Sequence, residues 1–282
     1  MKLFAQNIQN QDFIKLAPSG RKYSKKVIFH CYWSGALNKL HFLSIFSCYY
    51  FNVFQNNNFK IILWVNNSKN NYYYRKIKKF AEVIEFDFES EIRDTVFEKE
   101  KKFKVQKKLT HQANLIRSIL LYNYGGCWFD LDIFFLRSFE PLFEEFEKDI
   151  CLYQWERKNY PNNAIYISLE PKSSNFQKNI EYIINLEKGW GFQQANLTFD
   201  MPLNFLILPC LWFDPDWIKK DNEKKWDSFF QNTRKEINFD NFHQGSFSYH
   251  WHNRWDYKPK KNSPIIQLHN HMWKDYKAKI NE

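Results

Sequence analysis

Two carboxylates, Asp130 and Asp132, stand one residue apart in the otherwise apolar run Cys127-Trp128-Phe129-Asp130-Leu131-Asp132-Ile133-Phe134-Phe135-Leu136. If that run is a single strand, residues i and i+2 share a face and both side chains enter one site. Two unpaired charges on an apolar strand would cost roughly several kcal/mol each, so the pair calls for a cation or strong hydrogen-bond donors. Hard oxygen ligands favour Mn2+ or Mg2+, which leave positions open for phosphate oxygens. The chemistry to expect is therefore a metal–diphosphate site. A plainer arrangement is also open: one aspartate ends a strand in solvent while the other caps a turn.

Other residues capable of chemistry lie on either side. Asn114 and Arg117 are spaced i, i+3, which puts them on one face of a helix. Toward the C-terminus come two H-x-H elements, His250-Trp251-His252 with Trp255 and His269-Asn270-His271 with Trp273. Imidazoles in such pairs serve as metal ligands or as hydrogen-bonded residues, and the four together could form a separate zinc site.

Regular elements must hold these groups in place. Val27 to Trp33 reads as a short buried strand, closed by Ser34-Gly35. Leu40, Leu43, Phe46 and Tyr50 recur at helical spacing between Leu37 and Phe54. A second β-rich run covers Phe59 to Val65, a helix Tyr72 to Phe80, and a third strand Val83 to Phe88. Glu89 to Lys108 is charged and without a clean period, as a loop or exposed helix would be. Ala113, Ile116, Leu120 and Tyr124 mark the helix that carries Asn114 and Arg117; Gly125-Gly126 end it and the aspartate-bearing strand follows. Beyond Pro141 the pattern blurs, with a helix near Ser174 to Leu186 and a strand-like run at Leu203 to Leu208. Alternation of this kind predicts an α/β fold with a largely parallel sheet. No repeat or linker divides the 282 residues, so one domain over 1–282 is expected, with a donor half at about 25–140 and a second half at about 141–282.

Composition bounds the rest. Hydrophobic residues make up 44% and aromatics 20%, well away from the signature of disorder. The net charge of +10 favours anionic partners without choosing among them. Five widely spaced cysteines without a C-x-x-C pair suit a reducing cytosol. The longest apolar run, Leu203 to Phe213, is broken by Asn204 and Pro209, and the first residues carry no apolar signal core, so neither export nor a bilayer span is expected. The kinase, dehydrogenase, serine hydrolase and zincin motifs do not occur, and no nucleic-acid reader is recognisable.

Read whole, Asn114 to Asp132 resembles the donor-site signature of DXD-motif sugar-nucleotide glycosyltransferases: a helix with Asp-x-x-Arg, an aromatic-Gly-Gly turn, and an aromatic-rich strand ending in D-x-D. The resemblance is to the family of yeast mannosyltransferases, lactosylceramide α-1,4-galactosyltransferase and bacterial capsule and lipooligosaccharide transferases. It departs at Asn114, where the family usually has Asp; an amide donates as well as accepts, so a different sugar is to be expected. The likeness covers roughly Val27 to Ser168. It implies a GT-A-like, Rossmann-type nucleotide-binding sheet flanked by helices, with an irregular C-terminal acceptor-side region. It also implies a retaining transferase using a nucleotide-sugar, most plausibly a UDP-sugar, on a glycan or glycolipid hydroxyl. Asp130, Asp132, Arg117 and Asn114 would be catalytic. Tyr32, Trp33, Gly125, Gly126 and Trp255 would join Asn114, Arg117 and Asp130 at the donor, with Trp33 stacking on the base. Asp130, Asp132 and His250, or alternatively His271, would hold Mn2+ or Mg2+. The basic surface then suggests a cytoplasmic enzyme that visits an anionic membrane, and no nucleic acid is expected. A member that binds its nucleotide-sugar without turnover is the other reading, which Asn114 would signal.

Overall fold

The computed structural model describes residues 26–54, 56–98, 109–145, 150–155, 161–185, 205–217 and 228–281. In chain order they form β1 (Val27–Ser34), α1 (Lys39–Cys48), β2 (Phe59–Asn66), α2 (Tyr72–Ile77), β3 (Glu82–Glu85), α3 (Phe88–Ile92) and α4 (Leu109–Tyr124). The next elements are β4 (Gly126–Phe129), β5 (Ile133–Phe135), α5 (Glu140–Glu145), β6 (Ile150–Gln154), β7 (Pro161–Ser168) and α6 (Ser174–Asn185). The last are β8 (Phe205–Leu208), α7 (Cys210–Phe213), β9 (Ser248–His250) and α8 (Pro264–Ile280). Seven strands make one sheet in the order β3-β2-β1-β4-β7-β6-β8, and β5 pairs with β9 in a separate ribbon. Most of the glutamate- and lysine-rich segment after α3 lies outside the described residues.

The first four strands of that order run parallel. The sheet as a whole is mixed, because β7 runs antiparallel to both β4 and β6. Strands buried on both faces explain the near-continuous apolar runs in the sequence. Phe29, Cys31, Leu63, Cys127 and Phe129 point to the face covered by α1, and Ile62, Trp64 and Trp128 point to the face covered by α4. β1 has β2 on one side and β4 on the other. The chain runs outward from β1 to β2 and β3 and then returns to β4 on the other side of β1, so the strand order reverses between β1 and β4 and a crevice opens at their carboxyl ends, the usual ligand position in open α/β sheets.

Local chemistry sets the elements around that crevice. Asn38 caps α1 by accepting from Leu40 and His41 N–H, while His41 Nδ1 accepts from Asn38 N–H in return. α1 then passes into a π turn at Tyr49–Val53. It grips the segment after β4 through Ser44 Oγ to the Ile133 carbonyl, 2.6 Å, and Phe135 N–H to Ser47 Oγ, 3.0 Å.

Gly125 and Gly126 both have positive φ, at 65° and 103°. A Cβ on Gly126 would run into the Ile28 carbonyl, and one on Gly125 into the Leu169 carbonyl. Only glycine permits that backbone approach. Buried His30 fastens the same turn: Trp64 Nε1–H donates to its Nδ1 at 3.1 Å, leaving Nε2–H for the Gly125 carbonyl at 3.0 Å. Burial holds the His30 imidazole neutral, down at about 3.

Two expectations need correction. Residues 127–136 are not one strand: β4 stops at Phe129, residues 131–132 turn, and β5 begins at Ile133 in the other sheet. The polar groups of the D-x-D supply the turn with partners that a continuous apolar ladder would lack. The C-terminal region also contains a long helix, α8, which starts with Pro264 at its first position and packs Ile265, Leu268 and Met272 into the core. Its stripe is narrow amid lysines and asparagines, and the period was hidden.

Candidate functional site

Asp130 follows β4 and Asp132 precedes β5, so the turn between two sheets, and not strand alternation, aims both at one cavity of about 720 Å3. Along its wall stand Tyr32, Trp33 and Ser34 from the carboxyl end of β1, and Asn114 and Arg117 from α4.

Asp130 sits at the cavity's edge, its side chain 29% exposed, whereas Arg117 is 4% exposed. Arg117 Nη2 meets Asp130 Oδ1 at 3.0 Å, and its Nη1 donates to the Asn163 carbonyl. Trp128 Nε1 donates to the same Oδ1 at 2.7 Å, and the guanidinium lies 5.2 Å from the Trp128 ring centroid. Partial burial pushes the Asp130 carboxyl above the usual range, with Arg117 pulling against it and Asp132 adding to the rise.

Asp132 is almost fully buried, and its side-chain hydrogen-bond partners among the described residues come from β9 and the turn after it. The ribbon pairs Ile133 with His250, which carries His250 Nε2 to 3.2 Å from Asp132 Oδ2. Asn253 N–H donates to the same oxygen at 2.6 Å. The chain reaches that position through left-handed backbone at His252 and Asn253, φ 50° and 57°. Burial would raise the Asp132 carboxyl, but His250 and the Asn253 N–H outweigh it and leave it below the usual range. For His250, burial opposes the proton, yet Asp132, Asp214 and Asp130 push it up to about 9.

A third carboxylate completes this side. Asp214 Oδ2 lies 2.8 Å from His252 Nε2 and 3.7 Å from His250 Nδ1, and Tyr153 OH contacts that Nδ1 at 2.9 Å. Asp214, His250 and His252 place ligand-capable atoms within 4.8 Å of one another. Among the described residues, several buried polar atoms without a partner belong to this cavity's lining: Asp132 Oδ1, Arg117 Nε, Asn162 Nδ2 and Trp217 Nε1. Native cores leave few such groups, so their concentration here suits a polar ligand. A carboxylate oxygen left bare beside an imidazole also fits a divalent cation with mixed oxygen and nitrogen ligands.

Aromatic rings close both ends. Trp33 and Trp255 pack 4.8 Å apart, with His41 against both at 4.1 and 4.5 Å. Opposite, Trp155 and Trp217 meet edge to face at 5.7 Å, and His252 stacks on Trp217 at 3.8 Å.

The structure thus brings Tyr32, Trp33, Asn114, Arg117, Asp130, Asp132, His250 and Trp255 to one cavity. Gly125 and Gly126 are not in its lining; their place is in backbone packing. His271 is also outside it, on the exposed side of α8. Sequence reasoning missed His41, Asp214, Trp155 and Trp217. The capping spacing Asn38-x-x-His41 and the carboxylates of Phe213-Asp214-Pro215-Asp216-Trp217 were the available signals. None of the five cysteines forms a disulfide, and all are buried. Among the described residues, no helix is long and apolar enough to cross a membrane.

Residues 46–148 match the family described as the glycosyltransferase sugar-binding region containing the DXD motif. The sequence matches no curated protein. Among solved structures, the chain is similar to the apo form of the glycosyltransferase GlyE of Streptococcus pneumoniae. That match has a TM-score of 0.50 and 11% identity, over 92% of this chain and 62% of that one. PaToxG glycosyltransferase aligns at TM-score 0.41 and 15% identity, over 62% and 69% of the two chains. An active-site mutant of LgtC aligns at 0.44 and 9%, over 79% and 86%.

Proposed function

We propose that the chain is a DXD-motif glycosyltransferase of GT-A-like fold that moves a sugar from a nucleotide donor, a UDP-sugar, to a hydroxyl of a glycan or lipid-linked saccharide, with retention of configuration. The observation that carries this reading is the bare Asp132 Oδ1 facing a cavity that also holds Asp130, Arg117 and Asn114.

Asp132 and His250 would hold a divalent cation, with Asp130 beside them. Bound there, the cation supplies Lewis-acid neutralisation of the departing diphosphate. An imidazole ligand favours Mn2+ over Mg2+. His250 serves as a ligand only with Nε2 unprotonated, and Tyr153 and Asp214 at Nδ1 hold the ring in place for that role. Arg117, anchored on Asp130 and the Asn163 carbonyl, presents a fixed guanidinium edge beside Asn114, and the two orient the sugar. Trp33 offers a ring to the base, while Trp155 and Trp217 form an aromatic corner for an acceptor sugar. Each aspartate is already engaged, Asp130 by Arg117 and Trp128, Asp132 by His250 and Asn253. With Asp130 held by Arg117 and Trp128, and the bare Asp132 Oδ1 assigned to the cation, neither is assigned as a nucleophile, which favours attack by the acceptor on the face the diphosphate leaves.

A donor screen reading released nucleoside diphosphate, with and without Mn2+, tests the proposal. Turnover lost on chelation and in Asp132→Asn supports it; metal-independent release from every donor sinks it. Asn114 keeps the second reading in play, a binder that holds UDP with Mn2+ and never hydrolyses or transfers. Calorimetric binding without product from any donor would favour that reading. We place the chain in the cytoplasm at an anionic membrane where a lipid-linked acceptor resides.

A further inference from the structure

We propose that the surface formed by the start of α1, α2 and the last turns of α8 docks on an anionic lipid bilayer and presents the cavity's Trp33–Trp255 end to it. The proposal rests on the transferase reading only for its reason, a lipid-linked acceptor; the docking itself stands on the features of this face.

Lys39, Lys76, Lys79 and Lys277 converge here from three elements. After burial, it is the charges of Lys39, Lys79 and Lys277 that hold the Lys76 ammonium below its ordinary value. None of the four is in an ion pair with an acid among the described residues. Asp275, the nearby carboxylate, is already taken by Lys279 at 2.8 Å and by Tyr50 OH at 2.8 Å. The ammonium groups lie over aromatics: Lys76 Nζ is 4.0 Å over buried Phe42, 5.1 Å over half-buried Trp273 and 5.9 Å over exposed Tyr72, and Lys277 Nζ is 5.5 Å over Trp273. Ammonium groups over the accessible rings of Trp273 and Tyr72 match the headgroup level of a membrane, where charge meets phosphate and rings meet the apolar boundary.

Apolar exposure supports a bilayer over a nucleic acid. Tyr72 is 61% and Ile280 53% exposed, and both flank the lysines. A phosphodiester chain gives Ile280 nothing to bury against, whereas an acyl boundary does. Lys39 opens α1 two residues before His41, which packs on cavity-lining Trp33 and Trp255, so the basic face begins at the rim of the site.

The test is sedimentation of the full chain with vesicles of phosphatidylcholine alone or mixed with phosphatidylglycerol, at low and high salt, without donor or acceptor. Expected are binding to the mixed vesicles, weakening with salt, and a loss of about tenfold or more in K76E/K79E/K277E. K172E/K178E/K235E, an equal change of charge away from this face, should bind within about twofold of the unsubstituted chain. Tyr72→Ser with Ile280→Ser should remove the binding that survives high salt. Equal loss in both triple variants, equal binding to both vesicles, or an RNA oligomer displacing the vesicles from this face overturns the proposal. Circular dichroism establishes that each variant folds. Diphosphate release measured without vesicles reports separately on the transferase reading: turnover intact with docking lost supports the proposal, and vesicle binding by a chain without turnover counts only against the enzyme.

Discussion

Asp130 is held from nearby, by Trp128 two residues before it and Arg117 thirteen before it, while Asp132 is held by His250 and Asn253, 118 and 121 positions later. Their carboxyls move in opposite directions: burial lifts Asp130 above the ordinary range, and an imidazolium with a backbone N–H draws Asp132 below it. The difference teaches that a tripeptide motif is two sites. One aspartate belongs to a local helix–turn–strand unit that fastens a guanidinium. The other belongs to a ribbon contributed by the far end of the chain, and its second oxygen is left bare.

The strongest test of that division is to neutralise each aspartate in turn. Asp132→Asn should lower turnover on the order of a thousandfold, because the proposed cation would lose its principal oxygen. Asp130→Asn should instead leave Arg117 buried without its partner and show first as a lowered melting temperature. Equal effects on both quantities in both variants would erase the distinction.

A pH series on chelator-treated protein probes the ribbon half, whose two partners shift with opposite sign. His250 has its proton stabilised up to about 9 against 6.5 when unfolded, so the stability it adds is full below pH 6.5 and disappears as pH rises through 9. The depressed Asp132 carboxyl contributes above about pH 4 and is lost toward acid. Together they predict a stability plateau between those limits and an alkaline decline on the order of 3 kcal/mol. His250→Gln should remove the decline; thermal melts that keep it would assign the effect elsewhere.

Arg117→Lys probes the local half more gently. A lysine keeps the charge but cannot span Asp130 and the Asn163 carbonyl together, so kcat should drop by roughly a hundredfold with a smaller change in KM. Asn114→Asp is the mildest change. It restores a carboxylate that only accepts, and should shift relative donor preference by about fivefold, read from competing nucleotide-sugars in one assay.

The front of the fold was legible because its signals are local. The strand at Val27, the Leu37–Phe54 helix, the Phe59 strand and the helix before Gly125-Gly126 each announce themselves through apolar period and a glycine or asparagine boundary. The continuous strand expected across the D-x-D was the main misreading: ten apolar-rich residues do not reveal that residues 131–132 turn the chain into a different sheet. The choice between His250 and His271 had the same difficulty. Both stand in H-x-H elements with a tryptophan nearby, and only one lies on a strand paired with β5.

Local spacing alone therefore determined the α/β alternation, the glycine turn that nothing larger could make, and the placing of Asn114 and Arg117 one helical turn apart on the helix that precedes the two aspartates. Tertiary structure decided which imidazole reaches Asp132, that Asp214 and His252 stand behind it, and that Trp33 and Trp255 meet across His41. The reason is range. Period and propensity act over a few residues, whereas pairing β5 with β9 joins segments more than a hundred positions apart, and no pattern within either segment specifies the other.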